Sequence, residues 1–287
     1  MFNNPYLMID QLSLNTLMHR SESIKSVDFH IDKAVIKQEA HEVEAAFNFA
    51  PVLQKEGSRA MISINGPMMF SPGLIDRLLF SAVSTQDVMA AVADVAQDKQ
   101  IESVVFNMNT PGGEATKMHV LAGMVTSLST HKATATVNTG MTASAGFFVA
   151  SQTNHVFVEE AMNETGSIGA ITLLHDFSKA AEMAGIKITK IATGHLKGTG
   201  MQGTEITADM IEMVQGKINK LQEGFSNAVQ SGRPNSDMSD GSEARSGATF
   251  FAEKAQELGL IDGIKSIEET FNFLEQGNSF SRLKQKI

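Results

Sequence analysis

Ser144 lies in the run Gly140-Met-Thr-Ala-Ser-Ala-Gly146, between a β-type stretch, Ala133-Thr-Ala-Thr-Val-Asn138, and the apolar, helix-compatible stretch Phe147-Phe-Val-Ala-Ser151. A serine among small residues, where a strand turns into a helix, is placed as a nucleophile has to be. Small neighbours let a substrate backbone approach, and the new helix offers unpaired N–H groups and its positive dipole end to a developing oxyanion. The hydroxyl needs a base to take its proton, and an amine is competent for this when burial disfavours its charged form. Lys197 suits that role. It stands in the glycine-studded loop Ile191-Ala-Thr-Gly-His-Leu-Lys197-Gly-Thr-Gly200, and no acidic residue lies between Lys190 and Gly203 to hold it charged. Two more segments have the right character. Met108-Asn-Thr-Pro-Gly-Gly113 ends the β-rich run Ile101–Asn107, and paired glycines there allow N–H groups to point outward. Glu164-Thr-Gly-Ser-Ile-Gly-Ala170 is again small and glycine-rich. Each piece by itself also has a plainer reading, as a packing turn or a solvated lysine.

The elements that must position these residues alternate. Ala60–Ile64 reads as a strand, and Ser84-Thr-Gln-Asp87 as a helix start with Val88, Ala91, Val92 and Val95 on one face. Strand 101–107 is followed by a helix over Thr116–Leu128, strand 133–138, then the serine turn and its helix. Asn154–Val158, Ile168–Leu173 and Lys187–Ile191 read as further strands. The longest amphipathic segment follows Thr207, with Ile211, Val214, Ile218, Leu221, Phe225 and Val229 at helical spacing until Gly232-Arg-Pro234. Residues 235–247 read as a surface loop, and the tail from about 268 as a short helix at best, then basic coil. A Glu- and Ala-rich helical pattern lies near Gln38–Ala46. Strands alternating with helices argue an α/β fold.

Pro111-Gly112-Gly113, Ser144 before Ala145-Gly146, Thr165-Gly-Ser-Ile-Gly169 and Lys197, in that order, resemble the signal peptide peptidase A family of Ser–Lys proteases. Phe250-Phe-Ala-Glu-Lys-Ala-Gln-Glu-Leu-Gly-Leu-Ile-Asp-Gly263 resembles that family's closing segment, and the likeness covers roughly residues 58–267. The opening Phe2-Asn-Asn-Pro-Tyr-Leu-Met8 is similar to the start of the phage head-maturation branch. The resemblance implies the Clp protease/crotonase-like fold of repeated ββα units. It implies Ser144 as nucleophile, Lys197 as general base and Ser167 as the partner orienting the amine. The N–H groups of Gly113 and Ala145, with Gly112 as a shift of one, would form the oxyanion hole. It further implies a homo-oligomer in which Ser144 and Lys197 meet across a subunit interface, and no cofactor. The domains expected are an N-terminal extension at 1–57 that binds a partner or caps the oligomer, the peptidase at 58–267, and a short tail at 268–287.

Composition narrows the alternatives. The 287 residues are 42% hydrophobic and 19% charged, as in a globular chain, and the formal charge of −9 disfavours a nucleic-acid partner. No run of about eighteen apolar residues predicts a membrane span, and no basic region followed by an apolar core predicts a secretory signal. With no cysteine, disulfides and thiolate ligands are ruled out, which fits a cytoplasmic chain. No His-Glu-x-x-His pattern suggests a metal protease. Rival triads would join Ser144 to His175 and Asp176, or to His119, His155 or His195. Other readings are a soluble signal-peptide-peptidase-like protease, a crotonase-type acyl-CoA hydratase or isomerase, and a silent scaffold. The expected activity is an endopeptidase acting on polypeptides, trimming phage or prophage capsid, portal or scaffold proteins, with small or apolar side chains at the cleavage point.

Overall fold

The computed structural model describes residues 7–9 and 51–284, so the pattern near Gln38–Ala46 lies outside the described residues. In chain order the elements are β1 (Leu7–Ile9), β2 (Leu53–Glu56), β3 (Arg59–Asn65), β4 (Met68–Met69), α1 (Leu74–Phe80), β5 (Val83–Ser84) and α2 (Thr85–Gln97). They continue with β6 (Ser103–Thr110), β7 (Gly112–Glu114), α3 (Met118–Ser129), β8 (Ala133–Ala143), α4 (Ala145–Ala150), β9 (His155–Val158) and β10 (Glu164–Gly166). The remainder is α5 (Ser178–Met183), α6 (Ala208–Gly232), β11 (Thr249–Phe250), α7 (Ala252–Glu257), β12 (Gly263–Ile264) and α8 (Ile267–Lys284). The fold is α/β. One sheet runs β11-β10-β8-β6-β3-β2, with β9 on β8 and β12 on β9, and a smaller sheet runs β1-β7-β4-β5.

The main sheet is parallel from β3 through β6 and β8 to β10, with antiparallel β2 and β11 at its ends. Side chains on β6 alternate between two cores, as a strand's period of two requires. Val104, Phe106 and Met108 join the main core with helices α2, α3 and α4. Val105 faces the other way, into a cluster with Ala135, Val137, Phe157, Phe271 and Leu274. The helix start at Ser84 is as expected, with the Ser84 hydroxyl accepting the Asp87 N–H, and Val88, Ala91, Val92 and Val95 are buried.

Three expectations need correction. Ile168–Leu173 is not a strand, because β10 ends at Gly166 and takes the pairing with β8 before that run begins. Lys187–Ile191 is exposed and unpaired as a strand, with Ile191 94% exposed. The tail is a helix of 18 residues, α8, and its Phe271 and Leu274 close the second core. Arg59 of β3 ties α8 down through ion pairs to Glu268 and Glu275.

Asp262 joins three elements near the closing segment. Its carboxylate accepts from both guanidinium nitrogens of the buried Arg233, at 3.0 and 3.2 Å, and from the Val156 N–H at 2.8 Å. Asp262→Ala strands a buried cation and a strand-end N–H. With part of the site still wet, the expected cost is about 1–3 kcal/mol, read from urea unfolding. His155 lies 3.8 Å from the same carboxylate. Burial holds its pKa below the ordinary 6.5 and Arg233 pushes the same way, while Asp262 opposes them. The unfolded chain therefore takes up this proton first as pH falls, and the folded state loses stability as pH drops through and below 6.5. His155→Gln is expected to flatten that dependence in urea titrations on either side of the window.

Candidate active site

β8 changes partner along its length, and the change delivers the serine. Ala135–Asn138 pairs with β9, whereas Met141–Ala143 pairs with β10. Two asparagines hold the crossover. Asn138 Nδ2 donates to Glu164 O at 2.8 Å and to Thr165 Oγ1 at 3.0 Å, and its Oδ1 accepts the Gly140 N–H. Asn109 Oδ1 accepts the Met141 N–H at 3.1 Å. Neither was singled out from the sequence. An amide at the end of an otherwise apolar strand was the signal available, since a buried amide must find partners.

Ser144 follows as N-cap of α4 with φ 52° and ψ −117°. A non-glycine residue in such a conformation costs on the order of 1–3 kcal/mol and persists only where its surroundings fix it. Here the Ser144 N–H donates to Gly166 O at 2.8 Å and its carbonyl accepts from Phe148 N at 2.8 Å, while every residue of α4 is buried. The Ser144 side chain is nearly closed off, and its hydroxyl points to Gly169 O at 3.4 Å. Ala143 and Gly166 are register partners, so Ser144 and Ser167 extend neighbouring strands. Ser167 also has positive φ, 50°, is buried, and donates its N–H to Ala248 O at 2.7 Å.

The Pro-Gly-Gly loop does lie beside the serine. Gly112 has φ 96°, and a Cβ built on it would stand 2.9 Å from both Ser144 Cβ and Ala145 N. At Gly113 a Cβ would meet Met68 O at 1.9 Å. Both positions therefore demand glycine, for conformation at 112 and for space at 113. The Gly112 N–H is engaged by Thr110 Oγ1 at 3.2 Å, and Gly113 pairs in register with Met8 on one side and Met68 on the other. Two carboxylates flank the region. Glu114 accepts the Phe70 N–H and Glu164 accepts the Thr249 hydroxyl.

Lys197 is exposed, in a turn closed by its N–H to Gly194 O at 3.0 Å. Among the described residues no hydrogen bond joins it to Ser144 or Ser167, and they leave its side chain in water. The segment carrying it exposes Phe177, Met183, Ile186, Ile188 and Ile191. None of the rival histidines bonds to Ser144 either. His175 is exposed and stacks on Phe177, and His195 is exposed near Asp209. His119 packs edge-on against Phe148, and His155 faces Asp262. Asp176 accepts backbone N–H groups of Ser178 and Ile206, and these bonds, with the Ser178 side chain foremost, hold its carboxyl down at about 2. It is a turn residue. Among the described residues no group of three or more His, Asp or Glu is arranged for a metal, and no helix is long and apolar enough to cross a membrane.

Comparison with known proteins adds the following. A Methanocaldococcus jannaschii protein described as a candidate protease is 28% identical over 184 residues, which is 64% of this chain and 58% of that protein. Capsid assembly protease C of Escherichia phage lambda is 25% identical over 142 residues, 50% of this chain and 32% of that one. The chain thus spans little more than half of the first relative and about a third of the second. A crystal structure of an enoyl-CoA hydratase/isomerase family member matches 80% of this chain and 74% of its own, at 13% identity and a TM-score of 0.41. A sequence profile of peptidase family S49 matches residues 127–281, more than half of the chain and inclusive of Ser144, Ser167 and Lys197, and the chain belongs to that family.

Proposed function

We propose that the chain is a serine endopeptidase of the Ser–Lys type that trims capsid, portal or scaffold proteins of a phage or prophage head. The observation that carries this reading is the strained, buried Ser144 at the β8–α4 junction, with Gly112 and the Ala145 N–H against it. Ser144 Oγ attacks the peptide carbonyl as the Lys197 amine takes its proton. Ser167 orients that amine, and the N–H groups of Gly113 and Ala145 receive the oxyanion. The leaving amine then takes the proton from Lys197, and water releases the acyl group by the same path in reverse.

The base comes from a neighbouring copy. An exposed lysine stays protonated in water, whereas one buried at a subunit contact loses its charge more readily. The exposed apolar residues around Lys197 supply the surface for that contact. The head-protein substrate is supported by membership of family S49 and by likeness to the lambda capsid assembly protease. The test is incubation of purified capsid, portal and scaffold proteins with the wild-type chain and with Ser144→Ala, followed by mass spectrometry. Fragments made by the wild type alone are expected. Identical digests from the two chains would remove the reading.

A further inference from the structure

The N-terminal strand β1 lies antiparallel to β7, with Leu7 opposite Glu114, Met8 opposite Gly113 and Ile9 opposite Gly112. β7 has two edges, and β4 takes the other one through Met68 and Gly113. An extended polypeptide can therefore add to β7 only where β1 already sits. The placement of Met8 is specific. Its carbonyl oxygen is 2.1 Å from the point where a Cβ on Gly112 would stand, and that same point is 2.9 Å from Ala145 N and from Ser144 Cβ. The carbonyl thus shares one small space with the nucleophile's Cβ and a candidate oxyanion donor. The Met8 side chain is fully buried in the main core.

We propose that Leu7–Ile9 is an internal ligand of the active site. It holds the place of an extended substrate, with Met8 as the residue whose carbonyl faces Ser144, and an incoming polypeptide competes with it. The proposal rests on reading Ser144 as the nucleophile. A strand of three residues has few backbone bonds to lose, so displacing it costs chiefly the burial of the Met8 side chain, which an incoming apolar side chain restores. A methionine is unbranched and adapts to irregular apolar space, so the slot takes methionine or a similar unbranched apolar side chain before the scissile bond. The chain's own N-terminal strand therefore both restrains the enzyme and reports its preference.

The test uses the whole chain with Ser144→Ala, so hydrolysis plays no part. A fluorescein-labelled synthetic peptide of residues 3–10 is titrated, by anisotropy, against chains with Met8 intact and with Met8→Asp or Met8→Ala. The substituted chains, having lost the side chain that anchors their own strand, are expected to bind the peptide at least tenfold more tightly. A peptide carrying the Met8→Asp change should bind at least tenfold more weakly, and one carrying Met8→Leu within about threefold. Equal binding to all three chains, or to none, overturns the proposal. If Met8→Asp fails to fold, Met8→Ala decides the result, and a third chain gives a separate readout. The protein has no cysteine, so Met8→Cys introduces a single thiol. Its reaction with a maleimide should be slow and should accelerate severalfold when excess unlabelled peptide displaces the strand. A rate indifferent to the peptide counts against the proposal. Peptide exchange with no proteolysis by the Ser144 chain would sink the peptidase reading alone, and proteolysis without exchange would sink this inference alone.

Discussion

Chains carrying Ser144→Ala and Lys197→Ala, each inactive by itself, are expected to recover hydrolysis when mixed and reassembled. The expectation comes from the contrast between the two groups. Ser144 is buried and oriented within its own chain, whereas Lys197 stands on an exposed segment rich in uncovered apolar side chains. If a neighbour supplies the amine in a head-to-tail ring, a site works wherever a chain with Ser144 meets a neighbour with Lys197. Random mixing of equal amounts then gives about a quarter of the sites found in a wild-type assembly. A dyad completed within one chain gives none at any ratio. Each single variant should lose on the order of 10⁴–10⁶-fold, because removing either the nucleophile or its base leaves binding and the oxyanion donors alone. Ile191→Glu serves as the companion. It places a charge on a residue 94% exposed in the single chain, so the protomer should melt unchanged while assembly and activity are lost together. Retained activity in a monomeric Ile191→Glu chain would refute the shared site.

Much of this arrangement was legible in the sequence because it depends on local chemistry. The alternation of β-rich runs and amphipathic helices gave the α/β class. The small residues on either side of Ser144 gave its strand–helix junction, and Pro111-Gly112-Gly113 gave the neighbouring loop. What stayed hidden depends on pairing across distance. A serine prefers negative φ, so nothing in the residue types announces that both Ser144 and Ser167 adopt positive values. That follows from β8 and β10 ending in register, and the register is a tertiary fact. Lys187-Ile-Thr-Lys-Ile191 has the composition of a strand, but among the described residues it pairs with no other strand. β1 was hidden for a different reason. Three residues are too few to show a period, and their partner lies at Gly112–Glu114, far along the chain. The α8 face was readable in principle, since Ile267, Phe271 and Leu274 follow helical spacing. The surface they cover, Val105 of β6 with Ala135 and Val137 of β8, is assembled only by the fold.

Gly112→Ala should produce the second large loss, and its cause can be separated from general damage. A methyl there would stand 2.1 Å from Met8 O and 2.9 Å from Ala145 N. It would also have to live at φ 96°, a region costly for any side chain, by on the order of 1–3 kcal/mol. The overlap with backbone atoms of Met8 and Ala145 adds to that strain, so the urea midpoint should fall as well, and hydrolysis is compared without urea at a temperature where the variant is still folded. The catalytic penalty is larger, because the methyl occupies the space into which a substrate carbonyl must swing as it becomes tetrahedral. Loss of one oxyanion contact costs about 10²–10³-fold, and a blocked hole should reach at least that in kcat. Thr110→Val is the informative control. It removes the hydroxyl that accepts the Gly112 N–H at 3.2 Å but leaves the space open, so it loosens the loop without filling the hole. Hydrolysis by Thr110→Val within about tenfold of wild type, beside near-complete loss in Gly112→Ala, would locate the effect in the volume beside Ser144. Equal losses in both would mean that the loop's rigidity, and not the empty space over its glycine, is what the reaction needs.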